Sequence, residues 1–400
     1  MTRFRRLLTF ILLLVSMTYL FSGSLFGCSM IKLTKNGKTI VGNNEDWYNP
    51  NTRVWFENRK GGGYGAMYVG FDNLFPQGGM NEAGLVFDGF GQSFRAVTDT
   101  IGKLKISSRN ISKKIMQECG TVEEVKNLLN QYNRSFWSSS VLRFIDKTGK
   151  YLYVDGDSLI IGENAVFVQT NVRPYEKKNC WRLKKATQLV ENSSEANVDY
   201  CASAMDSVHQ AGNWGGTVYT TIYDLNEGKV HLYYFYDYKN VVTFNLKEEL
   251  LKGDRVISMP ELFPKNEIGQ KFYAEFNKIY NQIKQLSDSS ITDETASINT
   301  VKNAISSSFI DSYPFYRKSA NFVEYYLTEK FDPQKAIIYL KLNVEIYPND
   351  FRVYDALADL YMKNKQYQLA LKNYERSIEL NADNTSVKNQ IDYLKKIIEK

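Results

Sequence analysis

Histidine is almost missing from this chain of 400 residues, with only His209 and His231 present. A multi-histidine metal centre is therefore excluded. Cysteine is scarce as well. Cys28, Cys119, Cys180 and Cys201 show no paired spacing, so no disulfide framework is written into them. Beyond the first twenty residues no apolar run approaches the length that spans a bilayer. The 50 basic and 44 acidic residues leave a mild excess of +6, spread thinly, and no dense Lys/Arg block follows the first few residues. Nucleic-acid binding has no electrostatic footing on that distribution. What remains is an exported protein, soluble or peripherally attached, long enough for two or three domains.

The N-terminus is strongly patterned. Arg3, Arg5 and Arg6 precede an apolar run over residues 7–20, followed by Ser22, Gly23 and Ser24. This is the layout of a secretory signal peptide. Residues 1–27 are read as that peptide plus a short pro-segment, Leu25-Phe26-Gly27, with cleavage after Ser24 and then before Cys28. The second cut would leave one residue carrying both a thiol and a free α-amine, nucleophile and general base together. Leu25-Phe26-Gly27-Cys28 also resembles a bacterial lipobox, although Phe26 is bulky for one. Lipidation at Cys28 would anchor the chain and abolish a catalytic thiol, so the two readings exclude each other.

Residues 28–254 read as strand-rich with inserted helices, an α+β class. Lys35-Asn36-Gly37-Lys38 marks a first hairpin turn. Residues 121–131 have helical spacing, with Thr121 as N-cap and Glu123 and Glu124 in the first turn. Hairpins are expected over 141–154 and 217–236, and a turn over Gly78-Gly79-Met80-Asn81 leading into a strand. Residues 255–310 read as a helical linker. Residues 311–400 repeat at about 34 residues, pairing Ala336 with Ala370 and Pro348 with Ala382, the period of tetratricopeptide units. Tyr354, Leu357, Ala358, Tyr361, Ala370 and Tyr374 fall at packing positions of the second unit, and a protein partner would be met through these repeats.

Four motifs follow Cys28 in order: Gly42-Asn43-Asn44-Glu45-Asp46-Trp47, Gly79-Met80-Asn81-Glu82-Ala83-Gly84-Leu85, Thr170-Asn171-Val172-Arg173-Pro174, and a Thr-rich strand from Gly216 leading to Tyr233-Tyr234. Together they resemble the linear-amide C–N hydrolases of the N-terminal-nucleophile superfamily, which include choloylglycine hydrolases, penicillin V acylases and penicillin-type acyltransferases. The resemblance covers about residues 28–254. It implies a four-layer αββα sandwich, Cys28 as nucleophile, Asp46 near its amine, and an oxyanion hole from the Asn171 side chain and the backbone N–H of Gly91. Arg182 matches a later arginine that contacts the nucleophile region. Asn43 stands where bile-salt and penicillin V hydrolases carry arginine, a departure that bears on thiol activation.

The resemblance thus implies hydrolysis of a small N-acyl amide through an acyl-enzyme, with no cofactor or metal. Two alternatives stay open: acyl transfer to another amine through the same intermediate, and a lipid-anchored, inactive binding protein that recruits a partner through its repeats.

Overall fold

The computed structural model describes residues 27–288 apart from 48, 60, 177–178 and 213–214, and residues 347–398 together with 337, 340, 341 and 344. The signal segment, residues 289–336 and Ala336 of the first repeat lie outside the described residues.

Two antiparallel sheets face each other. The first runs β10 (Val166–Gln169), β1 (Ser29–Lys35), β2 (Lys38–Trp47), β12 (Gly215–Asp224), β13 (Lys229–Tyr234) and β14 (Val242–Asn245), with the short β11 (Ala211–Gly212) beside β12. The second runs β15 (Arg255–Ser258), β3 (Thr52–Glu57), β4 (Ala66–Phe71), β5 (Pro76–Asn81), β6 (Val86–Gly91), β7 (Ser140–Ile145), β8 (Tyr151–Asp155) and β9 (Ser158–Gly162). Side chains alternate across each strand, so each sheet buries two faces. Met30, Val41, Tyr219, Tyr223 and Leu232 meet Val54, Met67, Met80, Val86 and Phe90 between the sheets.

A helix layer covers each outer face. Ile31, Leu33, Ile40 and Ile222 pack under Ala186 and Val190, and under Cys201 and Met205. Those residues belong to α3 (Trp181–Glu191) and α4 (Val198–Ser207). On the opposite side, Tyr68, Phe87, Phe144 and Leu152 pack under α1 (Ser108–Glu118) and α2 (Val122–Leu129). α2 starts where expected, because Thr121 and Glu124 form a reciprocal capping box. Gly42 lets α4 lie close on β2, since a Cβ there would come within 2.7 Å of the Cys201 sulfur.

Two expectations shift. Gly78-Gly79-Met80-Asn81 is strand rather than turn, and the chain reverses just after it. The Asn81 side chain makes the reversal by accepting from Ala83 and Leu85 N–H, while donating to the Met116 and Cys119 carbonyls at the end of α1. The second sheet also runs past Asp254, where the first domain was expected to end: β15 pairs with β3 at the sheet edge. α5 (Leu246–Leu250) and α6 (Met259–Leu262) flank β15, and α7 (Glu267–Asp288) sets Phe272 5.3 Å from Phe235. Residues 255–276 thereby extend the sandwich rather than leave it.

Among the described residues the C-terminal region contains α8 (Phe351–Lys363), α9 (Tyr367–Leu380) and α10 (Thr385–Ile398). Leu357, Ala358, Tyr361, Ala370 and Tyr374 are buried between them, and the Tyr374 hydroxyl donates to Asp359. α10 returns to the sandwich. Tyr393 lies 5.4 Å from Phe94, and Asn389 donates to the Phe94 carbonyl at 3.0 Å.

Candidate active site

Cys28 precedes β1 by one residue and points its side chain between the sheets, 7 % exposed. Its backbone remains joined to Gly27, whose carbonyl accepts from Arg182 Nη1 and, at 3.3 Å, from Gln210 Nε2. The same Arg182 nitrogen donates to the Cys28 carbonyl at 3.1 Å and Ser29 Oγ at 2.8 Å, and lies 3.4 Å from Asp46 Oδ2. An arginine in the first turn of a helix would ordinarily be solvated; this one is 3 % exposed because α3 lies directly on the sheet.

β2 divides its polar residues between two faces. Asn44 and Asp46 face the helices. Asn44 donates to the Met205 carbonyl at 3.0 Å and accepts from Thr220 and Tyr238. Asp46 accepts from Thr217 Oγ1 and from Gln210 Nε2 at 2.6 Å, besides its ion pair with Arg182. Burial lifts the Asp46 carboxyl above its ordinary range, while Arg182, Thr217 and Gln210 pull the other way.

Asn43 and Glu45 face the inter-sheet side with Cys28. The thiol donates to Glu45 Oε2 at 3.3 Å. Across the gap stands Asp88 of β6, which accepts its neighbour's Gly89 N–H at 2.7 Å through one oxygen. The other Asp88 oxygen, both side-chain atoms of Asn43 and the Tyr219 hydroxyl are buried with no hydrogen-bond partner among the described residues. Burial pushes the Cys28 thiol well up, helped by the charges of Glu45, Asp88 and Asp46 and opposed by the Asp46 main-chain N–H. Glu45 is pushed up to about 8, chiefly by burial. Asp88 is raised by burial and by Glu45.

Asn171 and Gly91 also meet here. Asn171 Nδ2 donates to the Gly91 carbonyl at 2.8 Å, so as found the amide is engaged by the main chain of the other expected oxyanion donor. Gly27 lies over Asn171: with φ +151°, a Cβ on Gly27 would fall 1.6 Å from Asn171 Oδ1. The loop carrying Asn171 is pinned by Arg173, whose Nε is 3.1 Å from the Asp155 carboxylate and whose Nη1 donates to Ser93 Oγ at 2.7 Å. All five residues singled out in the sequence, Cys28, Asp46, Gly91, Asn171 and Arg182, thus fall around the Gly27–Cys28 bond.

No protein-family model matches the chain, and no curated protein matches it. Among solved structures, the chain is similar to penicillin V acylase from Agrobacterium tumefaciens at 15% identity and TM-score 0.43, covering 52% of this chain and 82% of that one. It is also similar to conjugated bile acid hydrolase from Clostridium perfringens. An arginine-to-leucine variant gives 18% identity and TM-score 0.46, and a cysteine-to-alanine mutant 17% and 0.45. Each covers 58% of this chain and 96% of that one.

Sequence reasoning missed four groups at this centre. Glu45 sits inside the motif that carries Asp46 and Thr217 in the Thr-rich strand from Gly216, while Gln210 and Asp88 carry no motif of their own. The signal available was β2 itself: four consecutive polar residues, 43–46, in a strand with sheet neighbours on both sides place carboxyl and amide groups on both buried faces.

Proposed function

We propose that this chain is an exported cysteine hydrolase of linear, non-peptide amide C–N bonds, of the N-terminal-nucleophile type. In this reading the mature chain starts at Cys28. The Cys28 thiolate attacks the amide carbonyl, and its own α-amine takes the thiol proton and passes one to the departing amine. Water activated by the same amine then releases the acyl group. Asp46, held by Arg182, Gln210 and Thr217, orients that amine. The Asn171 amide and Gly91 N–H stabilise the oxyanion, a donor of this kind contributing on the order of 3 kcal/mol. Departure of Gly27 clears the space over Asn171 for an acyl carbonyl.

The observation that carries this reading is the Arg182 guanidinium, which ties the Gly27 and Cys28 carbonyls to Asp46 in one buried cluster. The alternative of a lipid on Cys28 is disfavoured by the thiol's position between two sheets, where a diacylglycerol chain has no room. We further read α8 and α9 as a tetratricopeptide-like unit through which a protein partner is met.

Intact mass and N-terminal sequencing of the exported protein test the proposal. The expected result is a chain starting at unmodified Cys28 that hydrolyses N-acyl amides and is inactivated by Cys28→Ser. A diacylglyceryl mass on Cys28 overturns it.

A further inference from the structure

The α-amine of Cys28 cannot act as a base while it is still an amide nitrogen, yet the Gly27–Cys28 bond must break first. Some other group has to take the thiol proton for that single event. Among the described residues the thiol has one side-chain hydrogen bond, to Glu45 Oε2 at 3.3 Å. Asp46 is unsuited: its carboxylate faces the helices and already accepts from Thr217, Gln210 and Arg182, while its main-chain N–H serves the sulfur. Asp88 stands across the gap on β6 and makes no bond to the sulfur. The scissile carbonyl is already polarised, since Gly27 O accepts from both Arg182 and Gln210.

We propose that Glu45 is the base that frees the Cys28 thiol for cleavage of the Gly27–Cys28 bond. The inference rests on the nucleophile reading of Cys28. The thiol proton passes to Glu45, and the sulfur attacks the Gly27 carbonyl carbon, forming a C–S bond. The resulting oxyanion is held by Arg182 Nη1 and Gln210 Nε2. The C–N bond then breaks, and the proton held by Glu45 goes to the departing Cys28 nitrogen. A thioester of Gly27 on Cys28 remains, beside a free α-amine. Water hydrolyses it, releasing the Gly27 carboxylate and restoring the thiol. No oxidant or cofactor enters.

The surroundings fit a carboxyl that must change its charge. Asn43, 0 % exposed and on the same face of β2, has no partner for either polar side-chain atom among the described residues, and neither has the Tyr219 hydroxyl. Asn43 is two residues from Glu45 on β2, and Tyr219 is its register partner on β12. The titratable groups acting on the thiol–carboxyl pair are Asp46 on the same strand, Asp88 on β6, and Tyr219 and Tyr223 on β12. The Arg182 cation is close by, but it bonds the Cys28 carbonyl and pairs with Asp46 on the helix side of the strand, not with the thiol or Glu45. Burial therefore keeps Glu45 protonated to higher pH than usual, and cleavage should quicken as the pH rises through about 8.

The test follows cleavage in full-length chain made by cell-free synthesis, by intact mass over time between pH 5 and 9. Wild type should be cut faster as pH rises, about tenfold per unit until it levels near the Glu45 pKa. Glu45→Gln should be cut about 10²-fold more slowly or worse and lose that rise, and Glu45→Asp should recover part of the rate. A Glu45→Gln chain cut at the wild-type rate overturns the inference. If that variant fails to melt cooperatively, the wild-type profile decides, and a flat profile from pH 6 to 9 overturns the inference equally. A wild-type chain never cut before Cys28 instead refutes the nucleophile reading beneath it.

Discussion

Arg182, on a helix that begins 153 residues after Cys28, donates to the Cys28 carbonyl at 3.1 Å and pairs with Asp46 at 3.4 Å. The contacts to Gly27, Cys28, Ser29 and Asp46 all come from Nη1, whose place a compact, strongly hydrated ammonium does not reproduce. Arg182→Met should leave the Asp46 carboxylate buried without its cation. We expect a loss of about 3–5 kcal/mol in urea unfolding of the full chain, with a fall in amide hydrolysis that Arg182→Lys does not fully repair.

Stability should also depend on pH through Glu45. A carboxyl whose pKa is raised on folding binds its proton more tightly folded than unfolded. Folding is therefore favoured at low pH, and stability is lost as the pH climbs from the ordinary glutamate range through about 8. Glu45→Gln removes that titration. Its urea midpoint should change less between pH 5.5 and 8 than that of wild type, and equal slopes would contradict the assignment.

Gly27→Ala places a methyl group in the Asn171 side chain and a residue with a Cβ at φ +151°. Cleavage before Cys28 should slow by at least tenfold, read as accumulation of uncut chain by mass. A wild-type rate would show that Gly27 does not need to lie where it is found.

Asn43→Val should stabilise the fold. It replaces a fully buried amide, whose two polar atoms have no partner among the described residues, by an apolar side chain suited to a strand. The expected gain is about 1–3 kcal/mol in chemical unfolding; a loss would mean that the amide has a partner it needs.

The legible parts of the sequence were local. Lys35-Asn36-Gly37-Lys38 announced the β1–β2 hairpin, and Thr121 with Glu124 announced α2, because turn and cap chemistry act over four residues. Asn81 misled for a physical reason: its neighbours Gly78 and Gly79 look like turn residues, whereas they are strand positions where other backbone comes close. Sheet order was beyond reach, since pairing of β2 with β12 joins residues some 170 positions apart, Asp46 to Thr217 among them. For the same reason Gln210 and Thr217 surfaced only when that pairing was in view. Arg182 could be singled out through family resemblance alone; nothing in the helix around it foretells burial.

The carbonyl of Gly27 has a thermodynamic consequence. It accepts from Arg182 and Gln210, both of which also reach Asp46. Cutting the chain withdraws that acceptor and leaves a new ammonium or amine in its place, beside a guanidinium that is already buried. On the reading proposed above, that amine faces the Asp46 carboxylate, so an ammonium there would offset the loss of the acceptor. If the chain is cut as proposed, hydrolysis and departure of the preceding residues into solvent would make that exchange one-way.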